Sequence, residues 1–279
     1  MGAPKKSTPS LSPLAQKAQW ARIETLKIHK SAPETRVASS LSNVEILVAL
    51  YYGGVLKFNP QKKFWLERDR FVISKGHGSI AMYPILADLG FFDPAELNQV
   101  CKEGSILGGI PDPIIPGYET INGSLGHGLG VACGMAMALR TSGNPAQVFV
   151  LAGDGELNEG SIWEAVMFAA HHKIDNLNLI IDKNQKCMLD YTTKVLDLNP
   201  LTDKFKAFGF HVSTVDGHDV MKVQTELTQL KALHQGQPKV MIAETIKGKG
   251  STKLEANPLC HVAALNASEI DQAILEIQK

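Results

Sequence analysis

Residues 148–160 read VFVLAGDGELNEG, and residues 177–187 read LNLIIDKNQKC. In each, a short apolar run rich in β-formers stops abruptly at a polar turn, and the first turn is followed by apolar residues at helical spacing. Working outward, strand-like runs recur at 148–152, 177–182, 210–215 and 240–245, separated by helical patterns at about 158–172, 201–208 and 219–234. This alternation predicts an α/β fold, a parallel β-sheet flanked by helices on both faces. Ligands of such sheets bind beyond the carboxyl ends of the strands. Each of the four strands runs into a polar or glycine-rich string there: Gly153-Asp154-Gly155, Asp182-Lys183-Asn184-Gln185, Asp216-Gly217-His218-Asp219 and Lys247-Gly248-Lys249-Gly250. These strings are expected to converge on one face.

The amino-terminal half is less regular. Apolar spacing over 15–50, broken at Pro33, predicts two helices, and Ser42 three residues before Glu45 has the form of a capping box. Phe71-Val72-Ile73 is a short strand leading into Ser74-Lys75-Gly76-His77-Gly78 and an apolar helix to about residue 89, after which Asp93-Pro94 opens another. Residues 104–124 hold five Gly and three Pro, the composition of a functional loop, before a Gly/Ala/Met-rich helix reaching Arg140. Residues 1–14 read as a Lys/Ser/Pro-rich tail and 15–279 as one domain.

The 279 residues carry 28 Lys+Arg against 28 Asp+Glu, so no net field draws the chain to nucleic acid or an anionic membrane. The longest apolar stretch, 125–139, falls short of the roughly 20 residues of a membrane helix. Cys101, Cys133, Cys187 and Cys260 are far apart and form no Cys-x-x-Cys pair, which argues against a thiolate zinc site or a disulfide framework and fits a reducing cytoplasm.

Gly126, Gly128 and Gly130 fall on every second residue, unlike a dinucleotide fingerprint, and close packing through small residues is the commoner reading. The Lys247–Gly250 string lacks the upstream glycine of a phosphate loop. Asp154 and Asn184 are more telling. Each follows a strand directly, and oxygen ligands on adjacent loops suit Mg²⁺ held together with a diphosphate. Gly153 and Gly155 would let backbone approach the phosphates, as would a helix amino terminus near Asn158. Taken alone, Gly-Asp-Gly reads more readily as a plain turn.

The Gly153–Gly160 block closed by Asn184 resembles the thiamine-diphosphate motif. Together with 74–78, 123–128, Asp216-Gly217-His218, the 247–250 string and His261, it resembles the amino-terminal part of transketolases over about residues 20–265. The resemblance stops before the pyrimidine-binding and carboxy-terminal domains, as in the amino-terminal subunit of a split transketolase. It implies thiamine diphosphate and Mg²⁺ as cofactors, with Ca²⁺ or Mn²⁺ as substitutes. Asp154, Asn184 and the Lys186 carbonyl would hold the metal, His77, His261 and Gly155 would meet the diphosphate, and Gly153 and Glu156 belong to the same block. Gly123 and Leu125 match positions beside the cofactor rings. Glu159 matches a subunit-contact glutamate in a carboxylate network, with Glu164 as companion, so His77, His261 and Glu159 are the candidate catalytic set. The resemblance further implies a ketol or acyl transferase of small molecules that is active only with a separate chain carrying the missing domains and the glutamate that activates the cofactor, as an α2β2 heterotetramer.

Two departures bear on substrate. Arg36 and Ile110 stand where the family's sugar-contacting histidines are expected, and Tyr191 replaces a common glycine. Ile110 cannot donate to a hydroxyl, and Arg36 could grip an acidic substrate or lie solvated at the surface. Two alternatives stay open: the α subunit of a 2-oxo acid dehydrogenase E1 component, and a lapsed cofactor-binding subunit.

Overall fold

The structure is a computed structural model and describes residues 11–279 apart from Lys63; most of the expected tail lies outside the described residues. Five parallel strands form one sheet: β1 (Arg70–Ile73), β2 (Val148–Gly153), β3 (Leu177–Lys183), β4 (His211–Asp216) and β5 (Lys239–Glu244), in the order β1-β2-β3-β5-β4. The four strands expected in the second half are present to within a residue or two at each end.

Period-two alternation in buried strands sorts side chains between two cores. Phe149, Leu151, Ile180, Met241 and Ala243 face one core, while Val148, Val150, Leu179, Ile181, Val240 and Ile242 face the other. The first core is covered by α1 (Pro13–Ser31), α3 (Val44–Tyr52), α4 (Met82–Asp88) and α9 (Val220–Ala232). The second is covered by α5 (Gly128–Thr141), α6 (Gly160–His171) and α8 (Leu201–Ala207). A third cluster joins α2 (Val37–Leu41), α10 (Thr252–Ala256) and α11 (Ala267–Ile277) through Leu41, Leu254 and Ile270. One short turn of helix, α7 (Thr192–Val195), lies in the β3–β4 connection.

Three local expectations are corrected. Residues 15–50 hold three helices, because Ser42 and Asn43 interrupt α2 and α3. Ser42 does not cap: its hydroxyl donates to buried Asp182 Oδ2 (2.6 Å), and Glu45 is engaged by Arg22 and His218. The true capping box is Asn266 with Glu269 at the start of α11. The helix after Gly-Asp-Gly begins at Gly160, with a 3-10 turn over Gly155–Asn158 before it.

His29 in α1 is buried, bonded through Nδ1 to the Thr35 hydroxyl and without a partner at Nε2. Burial depresses its pKa to about 3. The unfolded chain therefore takes up a proton near pH 6.5 that the folded chain refuses until about pH 3, so stability falls as pH drops through this window. The share due to His29 is about 2 kcal/mol between pH 6.5 and 5. In urea unfolding at pH 7 and pH 5, His29→Asn should lose less stability than wild type by about that amount; equal losses would show that His29 stays neutral in both states.

Candidate functional site

The carboxyl ends of β1, β2, β3 and β5 deliver four loops to one edge of the sheet. The register aligns Gly153 with Asp182 and Lys183 with Glu244, so the residues that follow are neighbours in space. A cavity of about 330 Å³ lies at this edge, lined by Lys75, His77, Leu125, Gly153 to Glu156, Glu159, Asn184, Lys186, Lys247 and His261 among others. The string after β4 lies at the same edge, where the Gly217 N–H donates to the Glu244 carbonyl (2.8 Å), but none of its residues lines the cavity.

Beneath the cavity is a charge pair without solvent access. Lys75 Nζ meets Asp182 Oδ2, with side-chain exposures of 1% and 0%. The same carboxylate accepts from Ser42 Oγ, Asn184 Nδ2 (3.1 Å) and Thr245 Oγ1. Burial alone would raise the Asp182 pKa, but the Lys75 ammonium and these donors hold it at about 2. Because the Asn184 amide N–H points down at Asp182, its Oδ1 takes the opposite side, where it also accepts from the Lys186 N–H (3.3 Å).

Asp154 sits above this pair. Burial and the nearby Asp182 carboxylate push its pKa up to about 6, although Oδ2 accepts from Gln185 N–H (2.7 Å) and Oδ1 from Gly155 N–H (2.9 Å). Gln185 takes a left-handed conformation (φ 65°) to aim that N–H. A buried carboxylate with an amide oxygen and the Lys186 carbonyl is a mixed oxygen donor set. A hard divalent cation fits it. Among the described residues no cluster of three His, Cys, Asp or Glu side chains offers a competing kind of site.

Beside this donor set are nitrogen donors. Lys247 Nζ donates to the Lys186 carbonyl (2.8 Å) and to His261 Nδ1 (2.7 Å), which places the His261 proton on Nε2. The His77 and His261 rings lie 4.8 Å apart. Burial, with Lys75 and Lys247 nearby, lowers His77 to about 2 and His261, beside the same two ammonium groups and Arg36, to about 3. Both are neutral at physiological pH. Two buried ammonium groups and two neutral imidazoles next to an oxygen cage suit a diphosphate bridged to a cation.

Glu156 lines the cavity, but its carboxylate accepts from Ser74 Oγ, Gly126 N–H (2.9 Å) and Gly153 N–H (3.1 Å), so it ties the walls together. Leu125 lines the cavity but Gly123 does not; a Cβ added at Gly123 would sit 3.1 Å from Ile110 Cδ1. Gly126 has φ 85° and packs against Ser161 and Glu159, which explains the glycine spacing by close approach rather than by a nucleotide. Glu159 is exposed on the cavity wall, whereas Glu164 lies in a separate groove between α5 and α6. Arg36 is exposed and close enough to His261 to lower its pKa. Lys75, Lys247 and Asp182 were not singled out in the sequence. The lysines stand within the quoted strings, and a buried lysine directly after a strand is the signal that could have found them. The Met188–Leu189 side of the mouth is apolar and open, with both side chains more than half exposed and Val195 beside them.

The family model for "Transketolase, thiamine diphosphate binding domain" matches residues 17–277. The chain is 38% identical over 244 residues, 87% of its own length and 88% of the relative's, to the 6-deoxy-6-sulfo-D-fructose transketolase subunit of Clostridium sp. (strain MSTE9). It is 37% identical to an apulose-4-phosphate transketolase subunit of Actinobacillus succinogenes, covering 96% of this chain and 97% of that one. Against human transketolase it is 36% identical over 96% of its length but only 42% of the longer chain. The solved transketolase of Campylobacter jejuni superposes with a TM-score of 0.88 at 30% identity, covering 96% of this chain and 43% of that one.

Removing one member of a buried ion pair strands the other. Lys75→Met should therefore destabilise the chain by about 3–5 kcal/mol in urea unfolding, and Lys75→Met with Asp182→Asn should recover much of that loss. Equal losses in the single and double variants would show that the pair is not coupled.

Proposed function

The chain belongs to the transketolase family as a form of its thiamine-diphosphate-binding domain, and on that footing we propose that it is the diphosphate-binding subunit of a split, transketolase-type transferase that uses thiamine diphosphate and Mg²⁺. The single observation that carries this reading is the cage of Asp154, Asn184 and the Lys186 carbonyl beside Lys247, His77 and His261 at the strand ends. Bound there, the cofactor would supply the stabilisation of a carbanion equivalent that ketol transfer requires.

The chain's own residues would bind and orient. Asp154, Asn184 and the Lys186 carbonyl hold the cation, with Mg²⁺ as first choice and Ca²⁺ or Mn²⁺ as replacements. Lys247 and the neutral His77 and His261 face the diphosphate, Gly153 and Gly155 leave room for it, and Leu125 packs against the rings from the wall near Gly123. A neutral His261 with its proton on Nε2 can donate a hydrogen bond to a substrate oxygen, and Glu159 on the open wall is placed to meet the partner chain.

The remaining catalytic parts are assigned to a separate chain with the pyrimidine-binding and carboxy-terminal domains. Supporting this, the chain spans 88–97% of the subunit relatives but 42–43% of single-chain transketolases. The assembly proposed for the two chains is α2β2, and the unpaired cysteines support a cytoplasmic setting. No described helix is long and apolar enough to cross a membrane.

For the substrate, the charge of Arg36 beside His261 and an apolar Ile110 where a sugar-contacting histidine is expected favour an anionic donor over a neutral, hydroxyl-rich one. The relatives' names carry the same chemistry, a sulfonated and a phosphorylated sugar.

Calorimetric titration of thiamine diphosphate with Mg²⁺ should give saturable binding that tightens strongly when the partner chain is present, and Asp154→Ala should weaken it by more than about 100-fold. Undiminished metal-dependent binding by Asp154→Ala would sink the site assignment. In steady-state kinetics of the two-chain enzyme, Arg36→Gln should raise KM for an anionic donor about 10- to 100-fold with little change in kcat. An unchanged KM would place Arg36 outside the substrate's reach.

A further inference from the structure

His218, to which the sequence gives no chemistry, sits in a buried hub away from the cavity. Glu45 on α3 is buried, and one of its carboxylate oxygens accepts from Arg22 Nη2 while the other meets His218 Nδ1 at 3.0 Å. On the far edge of the ring, the Ile246 N–H donates to His218 Nε2 (2.8 Å). A backbone N–H can only donate, so Nε2 is the acceptor, the ring proton lies on Nδ1, and Nδ1–H donates to Glu45. The tautomer is thus fixed by two partners from different parts of the fold.

The segment reached in this way is the strap after β5. Besides the Ile246 bond, the Gly248 N–H donates to the Ala38 carbonyl (3.0 Å), and Arg22 Nη1 donates to the carbonyls of Lys249 (2.8 Å) and Leu41 (2.6 Å). The strap is therefore pinned on both sides of one residue, Lys247. That residue's ammonium reaches the Lys186 carbonyl and His261 Nδ1, so its placement bears on both the oxygen cage and the imidazole pair. A free lysine side chain has many rotamers, and a fixed backbone origin is what limits them.

We propose that His218 is a positioning residue for cofactor binding: by accepting the Ile246 N–H while donating to Glu45, it fixes the backbone from which Lys247 projects toward the diphosphate and the Lys186 carbonyl. This rests on the function proposed above and adds to it a residue that touches neither cofactor nor substrate. It acts through Lys247 alone, and that distinguishes positioning from a general contribution to folding.

The test is a double-mutant cycle on the full chain with its partner chain, reading the affinity for thiamine diphosphate with Mg²⁺ by calorimetry. His218→Ala should weaken binding about tenfold or more, and His218→Gln, which keeps one donor and one acceptor, should restore most of it. In a Lys247→Ala background, His218→Ala should weaken binding by less than about twofold, because its route is already cut. Losses that multiply in the double variant, or a His218→Ala affinity within about twofold of wild type, would overturn the proposal. If His218→Ala does not fold, His218→Leu is read by the same two criteria, and failure of both to fold would assign His218 to the fold and equally overturn it. Absence of binding by the wild-type chain would overturn the underlying function as well, whereas wild-type binding with an unaltered His218→Ala would overturn this inference alone.

Discussion

The Lys75–Asp182 pair is the constraint on which the site depends. Two charges without solvent access persist only when their remaining hydrogen-bonding capacity is filled, and Ser42, Asn184 and Thr245 fill it from three separate segments. That requirement draws the start of α3 and the ends of β1, β3 and β5 to one point. It also settles which way the Asn184 amide faces. An amide that must donate downward presents its oxygen upward, so the oxygen proposed to bind the cation is aimed by a charge pair outside the donor set.

Electrostatically, the site is built in layers. The lower layer is a paired, compensated charge, and above it Asp154 is uncompensated enough that its pKa is raised to about 6. Beside it Lys247, itself lowered to about 8 mainly by burial, and two neutral imidazoles supply donors without crowding the cavity with a third and fourth positive charge. The balance suits a ligand that brings both signs, a cation and a polyanion together. A ligand of one sign would leave one half of the site unmatched.

The sheet was readable from the sequence because buried parallel strands are uninterrupted apolar runs and their stops are glycine or aspartate, and the residues just past those stops, Asp154 and Asn184, were readable for the same reason. Ser42 and Glu45 were misread because their spacing is that of a capping box, while their actual partners, Asp182 and Arg22 with His218, lie 140, 23 and 173 positions away. Local pattern carries no information about partners so distant. Of the glycines at 126, 128 and 130, the first two have a steric cause in the neighbouring side chains of Ser161, Glu159 and Ser74, whereas a Cβ at Gly130 would meet nothing within 4 Å.

The apolar lip at Met188 and Leu189 has a consequence for the cell rather than for catalysis. Open apolar side chains at the mouth of a polar cavity are adhesive surface when nothing covers them. Under the proposed division into two chains, one synthesised in excess of the other would carry that lip uncovered, inviting chaperones and proteases. Matched dosage of the two genes would then be a matter of protein quality control, and an unmatched copy would be removed before it could compete for cofactor.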